Sequence, residues 1–256
     1  MLPQPLRRIG ERLPLPAKEL TRELALHDLH RAYLRRQLLN SLLALETPEG
    51  ELLPDLDTAI RDLVQRQGIS GEAELERWRL AQGLTLDELQ SLATFPARLE
   101  AVTERIWGED VPGIFLQRRS EFDTVVLSLV RFSDPDLAQE LYFQLLEGEL
   151  GFTEMVEVHA RGADQLNRGL LGPVRLKNLH PLLACAAERY TEGMLVPPLD
   201  IEGQVHLIRV ESLQKAQLDD SLRRELLQDL CQRWLQEQLQ ILESRLLTQH
   251  GEDISP

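Results

Sequence analysis

The chain has 256 residues, 43% of them apolar, and 28 Lys+Arg against 42 Asp+Glu give it a formal net charge of −14. That length and balance suit one large or two ordinary domains with buried cores and exclude wholesale disorder. The acidic surplus repels a phosphate backbone, and the arginines come in pairs (Arg35-Arg36, Arg118-Arg119, Arg223-Arg224) rather than blocks, so nucleic acid is not expected as a partner.

No apolar stretch approaches the ~20 residues of a membrane span, so no membrane insertion is expected. The first twenty residues hold four prolines and lack the apolar run of a secretory signal, which points to a cytoplasmic protein. Two lone cysteines, Cys185 and Cys231, build neither a disulfide framework nor a metal site; both are expected to be buried free thiols, with no metal and no cofactor bound.

In chain order, leucines at 20, 24, 29, 34, 38, 42 and 45 predict a helix over 17–46, ended by Glu46-Thr47-Pro48-Glu49-Gly50. A second helix is expected over 55–67 with Ile60, Leu63 and Val64 inward and Gly68 as its stop. A third runs over 73–82 to Gly83. Thr85 caps a fourth and Glu88 completes a capping box; that helix reaches about residue 106 unless Phe95-Pro96 breaks it. Residues 17–110 thus read as a helical domain.

The texture then changes. The β-branched run 123–132 reads as a buried strand. Helices follow over 136–147, stopped by Gly148, and over 152–159, then a loop containing Gly162, Gly169 and Gly172. A short strand near 173–176, a helix near 179–190 and strands near 194–199 and 205–210 complete a β-α-α-β-α-β-β order, which is mixed α+β. From Asp219-Asp220-Ser221 onward, Leu222, Leu226, Leu230 and Trp234, then Leu235, Leu239, Leu242 and Leu246, keep a helical stripe to Gln249. Such a helix spans roughly 40 Å, more than a small domain is wide, so it is expected to pack back on the N-terminal helices. A coiled-coil dimer competes, but the leucine spacing is too irregular for strict heptads, and a monomer is expected.

Ala138-x-x-Leu141-x-x-x-Leu145-Leu146-Glu147-Gly148 followed by Phe152-x-x-Met155-Val156 resembles the helix pair of the parvulin-type peptidyl-prolyl isomerases, and further short motifs of the α+β stretch are similar to that family's in their order. Arg168-Gly169-Leu170-Leu171-Gly172 resembles its glycine loop, and Glu192-Gly193, Pro198-Leu199 and His206-Leu207-Ile208-Arg209-Val210 resemble its closing strands. The whole arrangement is similar to that of SurA-like chaperones, in which helices from both ends surround an inserted parvulin domain. The resemblance implies a mainly α fold with an inserted α+β domain: 1–121 plus 213–256 as the SurA-like helical domain and 122–212 as the parvulin-like domain.

It also implies a site. Parvulins seat the substrate proline in an apolar pocket beside two histidines and a Cys or Asp. The apolar wall falls on Leu171, Leu179 and Leu183, and the second histidine on His206. The first histidine falls on Ser128, the Cys/Asp position in the loop around Arg161-Gly162, and the glycine-loop Asp on Leu170. Most polar positions are therefore substituted.

The residues by themselves leave plainer readings open: His206 as a structural strand histidine, the three leucines as core, and His27 and His30 as surface histidines. Asp55/Asp57 and Asp219/Asp220 read as helix-start charge. Gly169-x-x-Gly172 lacks the Lys-Ser/Thr of a phosphate loop, and no nucleophile elbow supports a hydrolase. The resemblance implies a peptidyl-prolyl cis-trans isomerase-like chaperone that binds extended or unfolded polypeptide, with a degraded isomerase site. The alternative is a catalytically inactive interaction or assembly subunit, docking one fixed protein partner through the parvulin-like domain.

Overall fold

The computed structural model describes residues 6, 8–14, 16–46 and 55–251. The fold is mainly α with an inserted α+β domain, and the chain forms two compact units. One comprises Met1–Val111 with Asp220–Pro256, the other Pro112–Asp219.

The helical unit contains α1 (Ile9–Arg12), α2 (Lys18–Leu26), α3 (His30–Glu46), α4 (Leu56–Gln67), α5 (Glu72–Ala81), α6 (Leu86–Trp107) and the 32-residue α12 (Asp220–Gly251). Leu34, Leu38 and Leu42 recur along one face of α3 and are fully buried, as are Leu226, Leu235 and Leu242 of α12. Helix α12 packs on α1, α3 and α6. Directional contacts set its register. Gly10 N donates to Gln238 Oε1 at 2.9 Å, Trp234 Nε1 to the Leu6 carbonyl at 3.0 Å, and Arg245 Nη1 to the carbonyls of Gly10 at 2.7 Å and Leu13 at 2.9 Å. A Cβ at Gly10 would lie 2.8 Å from the Gln238 carbonyl oxygen, so α1 approaches α12 as only glycine permits.

The single helix expected over 17–46 is two. Between α2 and α3 the chain turns at His27-Asp28-Leu29, with Asp28 in the left-handed region at φ 57°, a conformation aspartate tolerates. The consequence is a helix α2 without a buried residue, and Leu20, Leu26 and Leu29 stand exposed. His27 lies in the turn and His30 opens α3, so they share no helix face. The expected stop after Glu46 lies outside the described residues. Helix α6 starts at the capping box, Glu88 N donating to Thr85 Oγ1 at 3.2 Å and Thr85 N to Glu88 Oε2 at 2.8 Å, and it continues through Pro96.

The second unit opens with helix α7 (Val111–Phe122). It contains β1 (Thr124–Phe132), α8 (Pro135–Glu147), α9 (Phe152–His159), α10 (Gly162–Leu166), β2 (Leu170–Arg175), a 3-10 turn (Leu176–Asn178), α11 (Pro181–Arg189), β3 (Leu195–Ile201) and β4 (Gln204–Gln214). The strands form one antiparallel sheet in the order β2-β1-β4-β3. Each face carries its own core. Val125, Leu127, Leu129, Ile208 and Val210 pack with Leu183, Ala186 and Ala187 of α11, while Val130, Phe132 and Leu207 pack with α8 and α9. Two expectations need correction. The glycine-containing loop holds helix α10, and Cys185 is exposed on the outer side of α11, away from the buried Leu183, Ala186 and Ala187; Cys231 is buried.

Candidate functional site

A cavity of about 280 Å³ opens on the α11 face of the sheet. Strand alternation decides what lines it. On β1, Leu129 and Arg131 point to this face; on β4, His206 does, and Arg131 and His206 are paired across the ladder. Leu183 of α11 and Leu170 and Leu171 of β2 complete the apolar wall, and Ala163, Asp164, Asn167 and Gly169 close the cavity from the α10–β2 segment. That segment is pinned by its backbone: Leu129 N donates to the Gly169 carbonyl at 2.6 Å and Gly169 N to that of Asp164 at 2.7 Å. Gly169 has φ +73°, and a Cβ there would meet Val156 Cγ2 at 2.8 Å, so this turn needs glycine.

The polar side of the cavity is an ion pair and an imidazole. The Asp164 carboxylate accepts from the Arg131 backbone N at 3.1 Å, from Nε at 3.0 Å and from Nη2 at 2.5 Å. The hydrogen bond to Asp164, working against partial desolvation, holds the Arg131 guanidinium above its ordinary value. Three donors occupy this carboxylate, so it is committed to holding Arg131. His206 is 7% exposed, and its Nδ1 lies 2.9 Å from the Gln204 carbonyl. A carbonyl only accepts, so in the neutral ring Nδ1 carries the proton and Nε2 is the acceptor.

Of the residues expected from the sequence, the fold brings His206, Leu171 and Leu183 together around this cavity. Leu179 does not line it: it packs, half-buried, on the core of the same face. Ser128 is turned away. It occupies the opposite side of β1, where its Oγ donates to Glu211 Oε1 at 2.5 Å, and that oxygen also accepts from Arg209 Nε at 2.7 Å. The physical reason is the period of two along a strand: an assignment displaced by one residue moves the side chain to the other face. The acidic group does not come from Arg161-Gly162 but from Asp164, within the first turn of α10.

Sequence reasoning missed Leu129, Arg131, Asp164 and Asn167. The signal for the first two was present: an arginine inside the apolar run 124–132, two residues from Leu129 and out of phase with Ser128. For Asp164 the only signal was an acid in the glycine-containing stretch, because α10 is too short to show a periodicity.

An inserted four-stranded antiparallel sheet, helices on both its faces and an apolar cavity beside a buried histidine define the class of the site. Solved structures similar to this chain include peptidyl-prolyl isomerases and SurA-like chaperones. Among them are the peptidylprolyl isomerase PrsA of Bacillus cereus (14% identity, covering 94% of this chain and 90% of that one, TM-score 0.48) and the foldase protein PrsA of Streptococcus pneumoniae (12%, 94% and 90%, TM-score 0.40). A third comes from the pair of SurA-like chaperones of Campylobacter jejuni, the virulence factor PEB4 and the periplasmic protein Cj1289 (15%, 94% and 92%, TM-score 0.37). No family and no curated protein matches the sequence. At these identities and TM-scores no residue role is transferred to this chain. The expectation of a cytoplasmic location is corrected: the similar SurA-like pair includes a protein described as periplasmic, and the lack of an apolar leader run places a protein nowhere. Among the described residues, no helix is long and apolar enough to cross a membrane.

Proposed function

We propose that this chain is a peptidyl-prolyl isomerase-like chaperone whose sheet-containing domain holds prolyl segments of extended polypeptide in the cavity bounded by Leu129, Leu171, Leu183 and His206. In this reading the parvulin-like segment 122–212 is the holding domain, and the helical ends 1–121 and 213–256 form the second. One observation carries the proposal: an apolar wall, with the buried His206 imidazole and the Arg131–Asp164 pair on its polar side, bounds about 280 Å³ on one sheet face. That volume lies just under the range of drug-sized pockets and suits one ring with its flanking backbone.

Rotating a prolyl amide needs no nucleophile and no cofactor, because the barrier, about 18–20 kcal/mol for a peptide bond, comes from amide resonance. Catalysis requires contacts that strengthen as the bond twists: donors to the imide nitrogen or a polar field that changes with its geometry. Here Asp164 saturates two of the nitrogens of Arg131, and His206 and the exposed Asn167 side chain are the polar groups left to adjust. A cavity so furnished holds both isomers about equally, which favours binding without acceleration.

The test is a titration of the isotope-labelled chain with a short proline-containing peptide, observed by NMR. Shifts are expected at the methyls of Leu129, Leu171 and Leu183 and at the His206 ring, and replacing the peptide's proline by alanine should remove them. Equal shifts from both peptides, or none at these residues, overturn the proposal.

A further inference from the structure

Helix α3 is cationic in an acidic chain. Its sequence, HRAYLRRQLLNSLLALE, carries Arg31, Arg35 and Arg36, and its one acid is the terminal Glu46. Two contacts fix how α3 lies beside α6. Arg36 Cζ sits 3.3 Å from the centroid of the Phe95 ring, and Arg105 Nη1 donates to the Glu46 carbonyl. The contacts are ten residues apart on both helices, from 36 to 46 and from 95 to 105, so the two run side by side in the same direction. Phe95, Arg98, Val102 and Arg105 fall at i, i+3, i+7 and i+10, a single stripe on α6 along this seam. Arg98 therefore follows the Phe95 ring by about one helical turn.

Among the described residues, no acid meets these two guanidinium groups. Arg31 is paired with Glu243 at 3.6 Å, but neither Arg36 nor Arg98 has a carboxylate partner among the described residues. Arg98 Nε is closed off from solvent and donates to no acceptor there. Desolvation pushes the Arg36 guanidinium below its ordinary value, with no anion pulling the other way. A half-buried cation without a counter-charge is costly to keep in a fold, and an unused buried donor adds to that cost.

We propose that Arg36 and Arg98, with the Phe95 ring as a platform, form a carboxylate-binding site on the helical unit, taking an acidic side chain or the C-terminal carboxylate of a bound polypeptide. A guanidinium stacked on an aromatic face keeps its N–H edge available in the plane, and that fork matches the two oxygens of a carboxylate. Arg98 is itself only half-buried, so its Nη groups, rather than the closed-off Nε, supply the further donors. A single carboxylate fits better than a multiply charged anion, which the net charge of −14 repels more strongly. The site is built from helices of the helical unit and does not depend on the function of the sheet cavity.

The test uses the full chain with labelled arginine side chains, following the Nε–Hε resonances of Arg36 and Arg98 by NMR. Three probes are compared: acetyl-Ala-Glu-Ala-amide, acetyl-Ala-Gln-Ala-amide, and acetyl-Ala-Ala-Ala with a free terminal carboxylate. A carboxylate probe is expected to shift both resonances and the glutamine probe neither. Which of the two carboxylate probes binds identifies the source. Arg36→Gln or Arg98→Gln should weaken binding about ten-fold or more, and Arg36→Lys should restore only part of it because the charge returns without the fork. If no carboxylate probe moves both resonances in the unsubstituted chain, or the glutamine probe moves them equally, the proposal is wrong, whatever the stability of the variants.

Discussion

In the helical unit, inward-reaching polar side chains bolt distant helices together; in the sheet unit three of them, Arg131, Asp164 and His206, meet at one cavity. Gln238 is 2% exposed and spends its carbonyl on Gly10, while Trp234 and Arg245 hold the neighbouring carbonyls of the same N-terminal segment. The leucines that fill this unit are near-equivalent from turn to turn, so apolar burial leaves the sliding of α1 along α12 loosely determined. Directional hydrogen bonds remove that freedom. In the sheet unit the ladder already sets the register, with Arg131 opposite His206 and Ser128 opposite Arg209. Strand register there does not rest on side chains, and Arg131, Asp164 and His206 line a space, the Arg131–Asp164 pair also holding α10 to β1.

The largest expected effect tests whether the units are separate folding bodies. Leu242→Ala removes a fully buried side chain of α12 and should destabilise the helical unit by about 2–5 kcal/mol. The three tryptophans, Trp78, Trp107 and Trp234, all belong to this unit, so denaturant unfolding followed by their fluorescence reports it selectively. The NMR signals of the His206 ring should persist under conditions where that fluorescence transition is complete; simultaneous loss of both would merge the two units into one.

Gly172→Ala attacks the other side of the comparison. Gly172 has φ +115°, and a Cβ would lie 2.5 Å from the Val125 carbonyl oxygen. The substitution should cost about 2–4 kcal/mol in the sheet unit, seen as loss of amide protection in β1 and β2 with the tryptophan transition unmoved. Gln238→Ala should cost about 1–3 kcal/mol by leaving the buried Gly10 N–H without its acceptor. Here the tryptophan transition should move and the sheet stay intact. An unmoved transition would reduce the bolts to decoration on a leucine core.

The smallest effect is electrostatic. The hydrogen bonds from Arg223 hold the Glu104 carboxyl below its ordinary value. A group lowered by folding contributes stability above its unfolded value, near pH 4.3, and loses it as pH falls through the folded value. Glu104 is nearly half exposed, so screening limits the contribution to less than about 1 kcal/mol. Comparing the acid unfolding of the parent with that of Glu104→Gln by fluorescence should show a slightly smaller loss in the variant below pH 4.3.

What was legible in the sequence follows from the same contrast. The stripe at Leu34, Leu38 and Leu42, the capping box of Thr85 and Glu88, and the stops at Gly68 and Gly148 are local signals and read correctly. The turn at Asp28 is invisible because no glycine or proline marks it, and the leucines on both sides fit one continuous helix. The order of motifs in the resemblance reached His206, Leu171 and Leu183. It failed at Ser128, where one residue of strand phase separates a hydrogen bond to Glu211 from the cavity. The Arg131–Asp164 pair joins residues 33 apart, and neither composition nor periodicity links groups brought together by a loop folding over a strand.

The central claim is that the cavity holds a prolyl segment while leaving its isomerisation rate alone. Exchange NMR on a proline-containing peptide, with and without the chain, tests it directly. The expected result is that resonances of both isomers shift on addition of the chain while the cis–trans exchange rate stays at its free-peptide value, with or without His206→Ala. A rate raised by the parent chain and returned to the free value by His206→Ala would contradict it.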